Sequence, residues 1–240
     1  MWGDGPGGAP DSRFGLAKAE GGPRRVRIGE TTVEVLFAPH RRSDPFNGLS
    51  WIESQLAGVR RRLDLVLFVF SAQNLADALA AAQQRGVAIR VLADPGFAAR
   101  PFSEVLDLLA VSQSDQRCRL EAGNAPWRRS LDAGVGTPRL AGGDKLHHKF
   151  AVLDERSVIS GSFNWSPSAA FSNDETLLRI DSPQLAAHFR AETDRLWQGA
   201  ELGVTARLAH RLERQRQRCG GGIAVAPAAR TSPSTIKRRS

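Results

Sequence analysis

The alternation of apolar and polar positions predicts an ordered series of strands and helices along the first half of the chain. Strand, helix, strand, helix and strand are predicted in turn over residues 33–38, 45–62, 63–71, 72–85 and 87–94. The first helix has apolar side chains three and four positions apart, at Phe46, Leu49, Ile52, Leu56 and Val59. The strand over 63–71 is almost continuously apolar, as expected of a strand that is covered on both faces.

The second half of the chain is less regular, but its apolar positions also predict strands and helices. A helix, a strand and a long loop are predicted over residues 101–111, 117–121 and 123–143. Two strands around a short turn, a further strand and a last helix follow over residues 147–153, 157–163, 175–180 and 183–197. This order predicts an α/β fold, specifically an α/β/α sandwich with a mixed, largely parallel sheet and right-handed crossovers.

Composition divides the chain into three parts. Residues 1–29 contain eight glycines and no apolar periodicity, so we interpret them as a flexible leader in which order is expected only near its end. Residues 30–200 carry the periodic elements and form the predicted domain. Residues 201–240 are interpreted as a basic, largely disordered tail, in which residues 205–218 can continue as a helix.

The formal net charge of +8 is concentrated at the end of the chain. Residues 201–240 contain nine Lys or Arg and two Glu, which leaves 24 basic and 23 acidic residues in the first 200. Attraction to polyanions, such as a nucleic acid or an anionic membrane, is therefore expected from the tail more than from the domain.

Cysteine spacing and hydropathy bear on the compartment. Cys118 and Cys219 are far apart, which predicts neither a disulfide framework nor a metal site, and a cytoplasmic location is expected. The longest run of bulky apolar residues, 65–70, is six residues long, whereas a membrane span needs about 20. No integral membrane segment is predicted, although a peripheral position at a membrane stays open.

The segment with the most specific chemistry begins at His147. It has the pattern H-x-K-x4-D-x6-G-S-x-N, whose defined positions are His147, Lys149, Asp154, Gly161, Ser162 and Asn164. Because alternate side chains of a strand share a face, His147 and Lys149 project together and His148 projects the other way. On the returning strand Ser162 and Asn164 likewise share a face. The pattern therefore predicts four converging polar groups.

These residue types suit phosphoryl transfer. Lys149 supplies charge to phosphoryl oxygens, Ser162 and Asn164 supply neutral hydrogen bonds, and His147 can act as nucleophile or proton donor near neutral pH. Neither an Asp/Glu pair nor a His/Cys cluster at ligand spacing accompanies the motif. We therefore expect chemistry without a metal or another cofactor.

The pattern resembles the HKD signature of the phospholipase D superfamily at every defined position. A match of this kind arises by chance in a chain of this length at a rate of about 10^-5 or less. The order of strands and helices over residues 33–197 is also similar to one domain of that superfamily. The resemblance implies a phosphodiesterase in which His147 attacks phosphorus and a second motif's histidine protonates the leaving oxygen.

The same resemblance implies roles for the remaining residues. Lys149 and Asn164 bind the phosphate oxygens, and Ser162 helps to orient them. Glu175 fixes the tautomer of the imidazole. Strand alternation places Asp154 away from the imidazole and the ammonium group, so a structural, charge-balancing role is expected for it.

The chain departs from the superfamily pattern because it contains a single H-x-K, whereas family sites combine two motifs across a two-fold axis. Either two copies form a homodimer with an isologous interface, which we favour, or the chain is one half of a two-motif protein. A nucleic acid and a phospholipid present the same diester, so the motif does not separate an endonuclease from a phospholipase. A catalytically silent nucleic-acid-binding module is a third hypothesis, and the intact His147 and Lys149 count against it.

Overall fold

A nine-stranded mixed sheet organises the described chain. The computed structural model describes residues 15–18 and 21–220. The strands are β1 (Arg24–Ile28), β2 (Thr31–Ala38), β3 (Arg62–Leu67), β4 (Ala88–Ala93), β5 (Val135–Thr137), β6 (Lys149–Leu153), β7 (Ser157–Gly161), β8 (Glu175–Asp181) and β9 (Glu201–Leu202). Across the sheet they lie in the order β1-β2-β8-β7-β6-β3-β4-β5-β9.

Helices connect the strands and cover the sheet. They are α1 (Gly48–Gly58), α2 (Gln73–Gln84), α3 (Pro95–Ala98), α4 (Glu104–Leu108), α5 (Pro167–Phe171), α6 (Pro183–Trp197) and α7 (Ala206–Cys219), with short 3-10 turns at Gly15–Ala17 and Asp132–Gly134. The predicted helix 45–62 is shorter because the Asn47 side chain accepts the backbone N–H groups of Leu49 and Ser50 and so caps α1. No helix within the described residues is long and apolar enough to cross a membrane.

The sheet is mixed, as predicted, but most of it is antiparallel. Only β3, β4 and β5 run parallel to one another. The other pairs, β1–β2, β2–β8, β8–β7, β7–β6, β6–β3 and β5–β9, are antiparallel. The expectation of a largely parallel sheet is therefore wrong. Antiparallel neighbours can be joined by tight turns, as β6 and β7 are, whereas only the first half of the chain has the helical crossovers that parallel strands need.

Apolar clusters lie on both faces of the sheet, which confirms the sandwich. One cluster includes Ile52 of α1, Leu79 of α2 and Leu65 of β3. The other brings Val66 of β3 against Leu196 of α6. Leu65 and Val66 are sequence neighbours in different clusters because successive side chains of a strand point to opposite faces.

Both terminal segments contain ordered structure. In the expected flexible leader, β1 pairs with β2 in antiparallel register, with Val26 opposite Val33. In the expected disordered tail, β9 pairs with β5, and Leu208 of α7 is buried in the larger core cluster. The order at residues 24–28 lies near the end of the leader, as expected, and the predicted helix over residues 205–218 is confirmed. The expected end of the domain near residue 200 is wrong, because β9 and α7 pack against the domain. Residues 1–14, 19–20 and 221–240 lie outside the described residues.

The middle of the chain holds a long-range covalent link. Cys118 and Cys219, 101 residues apart, form a disulfide with a Cα–Cα distance of 5.6 Å. The expectation that these cysteines form no disulfide, on which the cytoplasmic expectation depended, is therefore wrong. The predicted strand over 117–121 is a turn instead, because the Asp115 carboxylate accepts the backbone N–H groups of Arg117 and Arg119.

Candidate active site

Four strand ends bring the motif to one end of the sheet. Lys149, the first residue of β6, lies opposite Leu67, the last residue of β3. Gly161, the last residue of β7, lies opposite Leu177 near the start of β8. Glu175 begins β8. The carboxyl ends of β3 and β7 and the first residues of β6 and β8 therefore meet at what we call the site end of the sheet.

His147 and Lys149 lie together at the site end, as strand alternation predicts. Nζ of Lys149 is 3.3 Å from Nε2 of His147 and donates a hydrogen bond of 3.0 Å to the His147 carbonyl oxygen. An ammonium group only donates, so this contact fits an imidazole whose Nε2 carries the lone pair. The arrangement offers a nucleophilic nitrogen beside a cation.

His148 points away from this pair, which confirms the other half of the alternation. Its Nε2 is 3.1 Å from a carboxylate oxygen of Glu192 on α6. Its ring packs against Phe150 with centroids 5.4 Å apart, and Phe150 in turn contacts Phe189 of α6. His148 therefore packs between the sheet and α6.

The aromatic ring of Phe68 packs against both His147 and Lys149. Its centroid is 4.7 Å from the imidazole centroid of His147 and 5.1 Å from Nζ of Lys149. Phe97 packs edge-on against Phe68 at 4.6 Å. Sequence analysis missed Phe68 because it lies in a continuous apolar run that is typical of core residues. No local signal separates it from its buried neighbours.

The charge of Lys149 is set by burial and by Glu175. Partial burial lowers the pKa of Lys149 below its ordinary value, and the nearby Glu175 carboxylate opposes this shift by raising that pKa. Glu175 accepts a hydrogen bond of 3.3 Å from the Asn173 side chain, and no hydrogen bond in the described chain joins it to His147. The predicted contact between Glu175 and the imidazole is therefore absent among the described residues, and the Glu175 carboxylate acts on Lys149 by favouring its charged form.

Backbone contacts bring Ser162 and Asn164 to the same end of the sheet. The Ser162 backbone N–H donates to the Thr176 carbonyl at 3.0 Å, and the Thr176 N–H donates to the Ser162 hydroxyl at 3.0 Å. Trp165, next to Asn164, donates its backbone N–H to the carbonyl of Val69, one residue beyond Phe68. The side-chain oxygen of Asn164 is buried and has no hydrogen-bond partner among the described residues.

Gly161 permits the close approach of β7 to β8. Its φ is +135°, and a Cβ at this position would lie 2.1 Å from the Thr176 carbonyl oxygen. Any side chain would clash with that backbone oxygen, and the conformation itself disfavours one. The glycine of the motif therefore fixes the path that carries Ser162 and Asn164.

Asp154 lies at the opposite end of β6, as predicted. Its carboxylate accepts the backbone N–H groups of Arg60, Arg61 and Arg62 at 2.9, 2.8 and 3.0 Å. Partial burial pulls the pKa of Asp154 up, but these hydrogen bonds, with that of Arg62 the strongest, hold it below its ordinary value. The position of Asp154 fits a structural role, since it ties the chain entering β3 to the β6–β7 turn.

No group of three or more His, Cys, Asp or Glu side chains within residues 15–18 and 21–220 is placed to hold a metal ion. The arrangement at the site end offers one imidazole nitrogen, one ammonium group and the neutral polar groups of Ser162 and Asn164. The imidazole nitrogen beside the ammonium group can attack the central atom of a tetrahedral anion and bind one of its oxygens, while Ser162 and Asn164 follow the end of β7 at the same end of the sheet.

Comparisons with known proteins match most of the described chain. The family model described as "Cardiolipin synthase, PLD-like domain" matches residues 52–197. The chain is 33% identical to the mitochondrial cardiolipin hydrolase of Xenopus laevis over 173 residues, covering 70% of this chain and 72% of that protein. Among solved structures, Nuc from Salmonella typhimurium is similar with a TM-score of 0.54 at 19% identity, covering 72% of this chain and 98% of that one. NucT from Helicobacter pylori gives 0.57 at 17% identity, covering 72% and 99%. The two structures share the fold.

Proposed function

Because the chain belongs to the phospholipase D superfamily, a family that hydrolyses phosphodiesters, we propose that it cleaves a phosphodiester bond through a covalent phosphohistidine at His147. The observation that carries this proposal is the 3.3 Å separation between Nε2 of His147 and Nζ of Lys149. A nucleophile and a cation this close can engage the phosphorus and a non-bridging oxygen of the same phosphate group.

The reaction takes two steps. First, Nε2 of His147 forms a bond to phosphorus while the bond from phosphorus to the leaving oxygen breaks, and a second imidazole gives that oxygen a proton. Next, a water oxygen bonds to phosphorus, its proton passes to the second imidazole and the N–P bond breaks. The products are an alcohol and a phosphomonoester. Lys149, Asn164 and Ser162 hold the non-bridging oxygens during both steps.

The second imidazole comes from another copy of the chain in this proposal. The sequence contains one H-x-K, so a single chain supplies one nucleophile of this type. A two-fold homodimer would bring His147 of both copies to one shared site. Sizing by light scattering tests this: we expect twice the chain mass of 26.0 kDa. An active monomer would contradict the shared site, and a missing partner half would show as an inactive monomer.

We propose a nucleic acid as the first substrate class and an anionic phospholipid as the second. The five arginines of α7, against one glutamate, support a polyanionic chain. The name of the Xenopus laevis relative supports a phospholipid of the cardiolipin type. Both classes present the diester that the His147 and Lys149 pair can engage.

A substrate panel in the presence of EDTA tests the proposal. Bis(p-nitrophenyl) phosphate, a single-stranded oligonucleotide and cardiolipin vesicles are each incubated with wild type, His147→Ala and His188→Ala. His188 is exposed on α6 and serves as the matched control. We expect hydrolysis by wild type and His188→Ala and none by His147→Ala, with an acid-labile phosphoryl group trapped on His147 after rapid quenching. Equal turnover by His147→Ala, or loss of wild-type turnover in EDTA, would refute the mechanism. Binding without turnover on every substrate would favour the silent binding module.

A further inference from the structure

A second polar site lies outside the motif, between α7 and the loop that follows α4. A cleft of about 710 Å³ is lined on one side by α7, on the other by residues 113–116, and at its rim by Arg100 and Pro101. We call it the arginine cleft. Its lining includes four arginines, namely Arg100, Arg211, Arg214 and Arg218, and a single acidic residue, Asp115.

The positive charge of the arginine cleft is not neutralised by the protein. Arg211 and Arg218 donate to the backbone carbonyls of Ala99 and Asp115 at 2.8 and 2.9 Å, so neither meets a carboxylate. The side chains of Arg100 and Arg214 have no hydrogen-bond or ion-pair partner among the described residues. Like charges held together without counter-charge favour the binding of an anion.

The one carboxylate in the lining, that of Asp115, already has hydrogen-bond and ion-pair partners outside the cleft. Asp115 accepts hydrogen bonds from the backbone N–H groups of Arg117 and Arg119 and lies 3.5 Å from the Arg119 guanidinium. Burial, followed by repulsion from Arg207, Arg100 and Arg214, lowers the pKa of Arg211. Of these groups, Arg100 and Arg214 line the cleft together with Arg211, so their positive charges lie close to one another.

Four glutamines also line the cleft, and two of them, Gln113 and Gln215, are buried, with 8% and 5% exposure. The side-chain oxygen of each of these two is buried without a hydrogen-bond partner in the described chain. An amide oxygen accepts and does not bind an anion, but the N–H groups of the same amides can donate neutral hydrogen bonds beside the charged ones of arginine. The site is held in shape by the disulfide, which joins the end of α7 to the loop beside residues 113–116.

We propose, building on the proposed phosphodiesterase function, that the arginine cleft binds the phosphate backbone of a single-stranded nucleic acid whose scissile bond lies at His147. The geometry favours a strand over a membrane surface for two reasons. The cleft is concave, and its volume is that of a ligand-sized groove. The apolar side of α7 is also used inside the protein, where Leu208 is buried and Leu212 packs on the core, so α7 has no apolar face to insert into lipid.

A series of aromatic rings extends from His147 towards the segment that carries Arg100. The ring of Phe68 contacts His147, Phe97 contacts Phe68, and Phe102 lies 6.4 Å from Phe97. Phe102 is 39% exposed and is two residues from Arg100 at the rim of the cleft. Rings beside a positively charged groove are the usual platform on which the bases of a single strand stack.

The test measures binding by the full chain carrying His147→Ala, so that the probe is not cut. The probe is a fluorescein-labelled 20-nucleotide single-stranded DNA, titrated by anisotropy between 50 and 300 mM NaCl. In this background Arg100→Gln/Arg214→Gln is compared with Arg60→Gln/Arg61→Gln. The control pair is exposed, changes net charge equally and precedes β3, at the opposite end of that strand from the site end. Thermal unfolding and circular dichroism confirm that both variants are folded.

We expect the cleft variant to bind the oligonucleotide about tenfold more weakly at 100 mM salt, with the slope of log K against log salt smaller by about 1.4 for two lost phosphate contacts. The control pair is expected to bind within about twofold of its parent. Equal weakening by both pairs, or no weakening by the cleft pair, would overturn the proposal. Binding of the same variants to vesicles containing 30% cardiolipin is measured alongside. The proposal would also be overturned if the cleft variant lost binding to these vesicles and kept its binding to the oligonucleotide. Hydrolysis of bis(p-nitrophenyl) phosphate by wild type is measured separately, because its absence would count against the phosphodiesterase function and not against the cleft.

Discussion

The side-chain nitrogen of Lys149 lies 3.3 Å from Nε2 of His147, and both groups rest on the ring of Phe68. The two residues are two positions apart in the chain: Lys149 begins β6, and His147 lies just before that strand, beside the end of β3. In the proposed reaction, a pair positioned in this way before substrate binds would lower the cost of organising the transition state. The Glu175 carboxylate also acts on this pair, because it raises the pKa of Lys149 and so favours the charged form of that side chain.

Glu175→Gln should move the alkaline limb of the pH–rate profile to lower pH. Burial lowers the pKa of Lys149 and Glu175 raises it, so loss of the carboxylate lets that pKa fall further. The ammonium group is then lost at a lower pH, and phosphate binding with it. The measurement is kcat/KM for bis(p-nitrophenyl) phosphate between pH 6 and 10. Asp174→Asn removes an exposed neighbouring carboxylate and should leave the limb in place; an unmoved limb in Glu175→Gln would contradict the assigned influence.

Gly161→Ala should abolish activity and destabilise the fold. The new Cβ would lie 2.1 Å from the Thr176 carbonyl oxygen at a φ of +135°, so β7 must move away from β8. We expect a loss of about 2–4 kcal/mol in the free energy of unfolding, measured in urea. Gly58→Ala is the control, because nothing lies within 4 Å of its added Cβ. A stable and fully active Gly161→Ala protein would show that this contact is not needed.

Asp154→Asn should reduce stability without changing the chemistry. The substitution removes the charge that accepts three backbone N–H groups, at a cost of about 1–2 kcal/mol near pH 7. Because the pKa of Asp154 is depressed, its contribution is present above the ordinary pKa of 3.8 and is lost as pH falls below it. The difference between wild type and variant in urea should therefore shrink towards pH 3. Glu155→Gln, which breaks an exposed pair with Arg190, should cost less than about 1 kcal/mol.

Glu104 should make the fold less stable as pH rises. Burial, followed by the carboxylates of Asp107 and Glu121, raises the pKa of Glu104 to about 9 from 4.5. The native state thus keeps a proton that the unfolded chain releases, so stability is fully present below pH 4.5 and falls towards pH 9. The slope is about 1.4 kcal/mol per pH unit. Urea midpoints at pH 5, 7 and 8.5 should fall less steeply in Glu104→Gln than in wild type, and parallel curves would contradict this. Glu201→Gln, at an exposed carboxylate, is the control.

The disulfide should contribute strongly to stability. It closes a loop between residues 101 positions apart, and removal of such a link costs about 3–4 kcal/mol by restoring freedom to the unfolded chain. Cys118→Ser and Cys219→Ser should each lower the urea midpoint, and dithiothreitol should lower the wild-type midpoint to the same value while leaving the variants unchanged. Two free thiols in unreduced native protein, by a thiol assay, would contradict the bond.

Local patterning predicted most helices and strands because it depends on nearest neighbours. The helix over 183–197 has the predicted bounds, and the strand over 33–38 differs by two residues at its start. The errors lie where distant residues decide the outcome. Val26 of β1 becomes part of a strand only because Val33 of β2 pairs with it, and the turn at Asp115 replaces a strand because its carboxylate captures two backbone N–H groups.

The sequence by itself determined that His147 and Lys149 share a face, that His148 faces away and that Asp154 lies at the far end of the strand, because alternation along a strand is a local property. The tertiary structure alone decided which strands run antiparallel, that Cys118 meets Cys219, that Phe68 packs against His147 and Lys149, and that Arg100 lines the same cleft as arginines of α7. These contacts join residues far apart in the chain, and the period of apolar positions carries no information about which distant segments will meet.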